Sequence, residues 1–238
     1  MSEQVKTRKL WPRLVQWLLV LTLPVLLLAA DIRIVTGHWF ARWEYRKADF
    51  PPDPYGFSTA ERIQLAEIAM DYLATQADIS LLTNLRLANG APAFNARELR
   101  HMVDVQTVYG HLIRAGIITV LVWSGGTIAL LAKRETHWRV PAALLGGSLF
   151  TLGLLALVGA FMALSWSEFF VTFHRIFFED NTWSFPYSDT LIRLFPIRFW
   201  MDVAATVVVL LIVEAITIGV GGWLWKRKLT QGDSQAAD

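Results

Sequence analysis

Cysteine is absent from all 238 residues, and that removes several chemistries at once. The chain itself can supply no disulfide, thiol nucleophile, cysteine metal ligand or lipid-modified cysteine. Charge is scarce as well: 18% of the residues are charged and the formal net charge is +2, too little to expect nucleic acid as a partner. The sequence lacks His-Glu-x-x-His, a Walker loop, a dinucleotide-binding Gly-x-Gly-x-x-Gly and the Gly-x-Ser-x-Gly elbow that exposes a serine nucleophile. Chemistry would therefore rest on histidines without a protein nucleophile, and neither metal nor cofactor is expected.

What is present is apolar and aromatic: 54% hydrophobic residues, with 11 Trp and 14 Phe. Near-unbroken runs of Leu, Val and Ala predict an all-α integral membrane protein, with four transmembrane helices and a mostly helical extracytoplasmic cap. The expected order is a basic cytoplasmic N-terminus at 1–13, transmembrane helices at 14–36, 107–132, 140–165 and 201–225, and cytoplasmic segments at 133–139 and 226–238. The cap takes 37–106, and an aromatic-rich extracytoplasmic segment takes 166–200. Lys and Arg at both termini and in the short central loop set the orientation. The first apolar run resembles a signal peptide in layout, but Leu28-Ala29-Ala30 is a poor cleavage site, so it reads as an uncleaved span. Gly146, Gly147, Gly153 and Gly159 in the third span suit close helix contact.

Two capping boxes punctuate the cap. Ser58-Thr59-Ala60-Glu61 opens a helix to about Leu73, and Asn95-Ala96-Arg97-Glu98 opens one that carries His101 and Asp104 toward the second span. A turn-rich knot, Pro51-Pro52-Asp53-Pro54-Tyr55-Gly56-Phe57, precedes the first of them.

Topology sorts the five histidines. His137 belongs to the central loop, His38 to an aromatic belt, and His111 to a span with a packing or proton-handling role. His101 and His174 share the outer face although 73 positions separate them. Glu98 and Asp104 flank His101 by about one helical turn, which offers carboxylates to orient the imidazole for acid–base work. Twelve of the thirty-five residues from Trp166 to Trp200 are aromatic, a density that fits either an acyl-chain pocket or interfacial anchoring. Arg175, Arg193 and Arg198 suit a phosphate, a carbonyl or lipid head groups. Glu214 inside the fourth span must face the bundle or a polar cavity.

Several motifs coincide: Tyr55-Gly56-Phe57-Ser58-Thr59-Ala60-Glu61-Arg62 in the cap, Glu98 with His101-Met102-Val103-Asp104-Val105 before the second span, and Phe173-His174 with Phe177, Asn181, Trp183, Asp189, Leu191-Ile192 and Pro196 before the fourth. In this combination the sequence resembles a bacterial family of four-span membrane proteins that includes the lipoprotein intramolecular transacylases. The resemblance implies a cytoplasmic-membrane acyltransferase, active on the outer face. Such an enzyme moves the central (sn-2) glycerol-ester acyl chain of a diacylglyceryl-cysteine lipoprotein to the amino group of that cysteine. It implies His101 and His174 as the catalytic pair, with Glu98, Asp104, Tyr55, Phe173, Arg175, Phe177, Asn181, Trp183 and Asp189 around the substrate. The partners implied are a bacterial lipoprotein and membrane lipids. The competing expectation is a non-catalytic envelope protein whose cap binds a lipid or protein partner.

Overall fold

The structure, a computed structural model, describes residues 2–179 and 182–235, with side chains described from residue 10 to residue 232. Among the described residues the regular structure is helical: α1 (Ser2–Val35), α2 (His38–Glu44), α3 (Thr59–Thr75), α4 (Ser80–Thr83), α5 (Ala96–Leu131), α6 (Arg139–Leu164), α7 (Trp166–Phe177), α8 (Thr190–Leu194) and α9 (Ile197–Gln235). Four of them contain stretches long and apolar enough to cross a membrane: Leu10–Val35, Ala96–Leu131, Arg139–Leu164 and Ile197–Gly232.

The chain divides into two compact units, one from 1–30, 114–160 and 208–238, the other from 31–113 and 161–207. In the first, Leu19 and Val20 of α1 pack with Leu130 of α5 and with Val140 and Ala143 of α6. Close approach explains part of the glycine pattern. A Cβ on Gly147 would lie 2.8 Å from the Leu23 side chain, and one on Gly146 would lie 3.1 Å from Val20, whereas Gly153 and Gly159 face open space. The expected helix contact therefore holds for the first pair only. The later turns of α6 present Leu157 and Leu164, 71% and 86% exposed, and such surfaces belong against lipid tails rather than protein.

The second unit has its own core: Leu65, Tyr72, Leu82, Phe94 and Met102 close against Leu191 and Leu194 of α8. Both capping boxes form. The Ser58 hydroxyl accepts from the Glu61 amide at 3.2 Å while Glu61 returns to the Ser58 amide at 2.8 Å. Asn95 and Glu98 do the same at 3.1 and 2.7 Å. The knot at 51–57 is held down by arginines. Buried Arg62 donates to the carbonyls of Arg193 at 2.9 Å and Pro51 at 2.8 Å, and Arg193 meets the Asp53 carboxylate at 2.8 and 3.1 Å. Burial pushes the Asp53 carboxyl up, but Arg193 and the Phe57 amide outweigh it and hold the group below its ordinary range. The Tyr45 hydroxyl also donates to the Leu194 carbonyl, so the segment before α9 is fastened to α2 and α3.

Candidate active site

Helix α5 has 36 residues and measures about 54 Å at about 1.5 Å per residue, well beyond the roughly 30 Å of a bilayer core. Its first turns, with Glu98, His101 and Asp104, thus extend past the length a crossing requires. Helix α7 is short and strongly amphipathic, and none of its residues is fully buried. Ser165 caps it by accepting from the Glu168 amide at 3.4 Å, and its last turn presents His174.

The two histidines meet. Their rings stack with centroids 6.2 Å apart and planes 22° from parallel. Aromatic side chains enclose them: Phe178 at 5.0 Å and Phe185 at 5.4 Å from His101, and Phe170 at 4.0 Å, Trp183 at 4.9 Å, Phe178 at 5.4 Å and Phe173 at 5.5 Å from His174. Phe178 touches both. Burial pushes the His174 pKa below its ordinary value, with a backbone hydrogen bond opposing the shift.

That hydrogen bond fixes a tautomer. Nδ1 of His174 lies 2.7 Å from the Phe170 carbonyl, and a carbonyl can only accept, so Nδ1 carries the hydrogen. In the neutral ring Nε2 is then the lone-pair nitrogen. Nδ1 of His101 is buried and has no hydrogen-bond partner.

The remaining expected residues divide. Phe173 and Trp183 line the pair; Phe177 stacks behind Phe173 at 4.9 Å. Glu98 is 2% exposed, and its two oxygens accept from the backbone amides of Asn95 and Leu191, each at 2.7 Å, rather than from an imidazole. It ties the start of α5 to the start of α8. Asp189 meets the Arg97 guanidinium at 3.1 Å, and Arg97 in turn lies 5.5 Å over the Phe185 ring. Asp104 is half-buried with Arg100 and Glu179 as its charged neighbours. Tyr55 is 50% exposed and stands 5.6 Å from the Arg193 guanidinium, while Arg175 is exposed. Asn181 lies outside the described residues. Among those described, no three His, Asp or Glu side chains gather as a metal cage.

The sequence pattern of the family described as lipoprotein intramolecular transacylase Lit matches residues 16–200. The chain belongs to this family. Transacylases transfer acyl groups, so the expectation of an acyltransferase is met at the level of the family. An uncharacterised protein of Aquifex aeolicus is 30% identical over 217 residues, which is 91% of this chain and 97% of that protein. The fold is that of the lipoprotein intramolecular transacylase of Bacillus cereus, an integral membrane protein. The two share a TM-score of 0.76 and 21% identity over 93% of this chain and 98% of that one. A variant of the same transacylase with one histidine replaced by alanine gives 0.73 and 20% over 98% and 99%.

The residues near the pair that the sequence did not single out are Phe170, Phe178, Phe185 and Arg97. The aromatic density of 166–200 marked the wall but not its members. The signal that would have found Phe170 is its spacing, one turn before His174 on the same helix face.

Proposed function

We propose that this chain converts a diacylated lipoprotein into its lyso form by moving the sn-2 acyl chain to the amino group of the N-terminal cysteine, with His101 and His174 as the acid–base pair. The observation that carries the reading is the stacked pair inside a wall of rings, joined to a tautomer that leaves Nε2 of His174 free to accept. In the step, the α-amine gives a proton to Nε2 of His174 as its nitrogen attacks the ester carbonyl. A new C–N bond forms and the C–O bond to glycerol breaks. The departing oxygen takes up that same proton, relayed from His174 through His101, so both rings end neutral as they began. Positive charges this close repel, which suits a pair that shares a single proton.

Nucleophile and ester lie in one molecule, so the site has mainly to fold the substrate back on itself. The phenylalanines and Trp183 offer acyl chains an apolar enclosure, and Arg175 and Asn181 are candidates for the polar head. The basic termini and the basic loop at 133–139 support a cytoplasmic side for both ends, with the histidine pair at the outer face of the cytoplasmic membrane.

The test is fragmentation mass spectrometry of the N-terminal peptide of a diacylated lipoprotein. Total mass does not change in an intramolecular shift, so only fragments locating the acyl group report it. An N-acyl product that vanishes in His101→Ala and in His174→Ala supports the reading. An N-acyl product undiminished in both variants would overturn the acid–base pair, and glycerol esters left intact by the folded wild-type chain would overturn the transacylation.

A further inference from the structure

Far along the chain from the histidines, six residues and Glu135 surround a cavity of about 250 Å³: Arg134, His137 and Trp138 from the loop before α6, and Lys226, Leu229 and Thr230 from α9. The α9 residues are spaced i, i+3, i+4, so a single face of that helix turns toward the loop. We propose that this cavity binds the phosphate of an anionic membrane lipid, a site separate from the acyl-transfer chemistry.

Three observations support it. First, the loop wall is preformed. The buried Thr136 hydroxyl donates to the Leu130 carbonyl at 2.7 Å, the His137 amide to the Lys133 carbonyl at 3.1 Å, and Trp138 Nε1 to the Glu135 carbonyl at 3.1 Å. His137 Nδ1 is engaged by the Arg134 carbonyl.

Second, the cations in the cavity are uncommitted while their neighbours are not. Lys133 lies over Trp11, Arg139 over Trp138 and Arg227 over Trp223, at 5.6, 4.5 and 5.7 Å from the ring centres, and Arg139 also donates to Gln16 at 2.7 Å. The Arg134 guanidinium and the Lys226 ammonium have no hydrogen-bond or ion-pair partner among the described residues. Among the described residues Glu135 is the single carboxylate at the rim, and these two cations outnumber it.

Third, the cavity sits where α5 and α6 meet at the end of their apolar stretches, the depth of lipid phosphates. In the last turns of α5, just before the loop, Ile128 and Leu131 are exposed, apolar surface that acyl chains would cover and a free anion would not need.

The experiment uses the full chain, purified in non-ionic detergent and stripped of lipid. Its thermal midpoint is followed against phosphatidylglycerol, phosphatidylcholine and inorganic phosphate. Phosphatidylglycerol is expected to raise the midpoint, and the half-effect concentration should move about tenfold higher in Arg134→Gln/Lys226→Gln while Arg227→Gln leaves it in place. An unchanged response in the double variant, or an equal loss in Arg227→Gln, overturns the site. A rise of the same size with inorganic phosphate assigns the cavity to free anions and overturns the lipid. If the double variant does not fold, native mass spectrometry of Lys226→Gln is read instead. Loss of one tightly held phosphatidylglycerol supports the proposal and its retention overturns it.

Discussion

Two histidine neighbourhoods in the same unit differ in what faces the ring. His38, at the head of α2, places Nε2 2.7 Å from the Asp71 carboxylate, with both side chains well exposed at 37% and 49%. Among the described residues His101 and His174 have rings for neighbours and no carboxylate in hydrogen-bond contact; His174 is steadied by a backbone carbonyl instead. The sequence offered carboxylates to His101, in Glu98 and Asp104, yet Glu98 is spent on two backbone amides. On the proposed function, the contrast separates a fastened histidine from one free to exchange a proton. A permanent carboxylate holds a ring in place, whereas an apolar enclosure leaves a lone pair free for a substrate proton.

The largest expected effect breaks the comparison outright. His174→Ala and His101→Ala should each lower N-acyl product formation by about 10²–10⁴-fold, the usual contribution of a positioned acid or base, while His38→Ala should stay within a few-fold. Initial rates from the fragmentation assay decide it. If His38→Ala proves as damaging as His174→Ala, the distinction between the neighbourhoods is wrong.

Next comes Glu98, the carboxylate that the sequence offered to His101. Glu98→Ala leaves the buried Leu191 amide and the part-buried Asn95 amide without an acceptor, and should cost about 2–4 kcal/mol of stability. Glu98→Gln keeps one acceptor oxygen and should cost less. Thermal unfolding in detergent measures both. A Glu98→Ala protein that keeps its stability but loses activity would return Glu98 to the chemistry.

The capping half of Glu98 was legible in the sequence, because Asn95 and Glu98 are three apart and that spacing has a local mechanism. Its bond to Leu191 was not, since it joins positions 93 apart through the packing of α5 on α8. The meeting of His101 and His174 was legible by a different route: span parity put both on one face, and the aromatic run supplied the wall. Which rings would touch which imidazole depended on the turn after α7, where Phe178 leaves the helix in an extended conformation and swings between the two histidines. The third-span glycines show the limit in the opposite sense. Composition cannot tell a glycine pressed against a neighbouring helix, such as Gly147, from one that faces open space, such as Gly153.

A third, smaller effect converts one neighbourhood into the other. Burial holds the His174 pKa below its ordinary value, so the neutral base persists at slightly acidic pH and is lost only as pH falls further. The same sign governs folding. The unfolded ring takes up a proton that the folded ring resists, so this group lowers stability only below its unfolded pKa. The acid limb of the rate profile should therefore lie below the ordinary histidine range. Trp183→Glu would set a carboxylate beside the ring and move that limb to higher pH. A limb that stays in place in a folded Trp183→Glu protein would separate the profile from His174.

The smallest expected effect sharpens the comparison of the two capping boxes. Glu61 makes the same kind of local bonds as Glu98, with the Ser58 amide at 2.8 Å and hydroxyl at 2.7 Å, but it is exposed and hydrogen-bonds to no distant element. Water can replace it. Glu61→Ala should cost far less stability than Glu98→Ala and leave the rate of acyl transfer almost unchanged. Its carboxyl is held below the ordinary range by the Ser58 hydroxyl and amide, so that small contribution should fade as pH drops through the folded value, and the two proteins should converge in acid. Convergence would confirm that the Glu61 charge acts only on its own helix end. A loss as large as that of Glu98→Ala would instead mean that the N-terminus of α3 bears on the second unit's core as directly as the bond between α5 and α8 does.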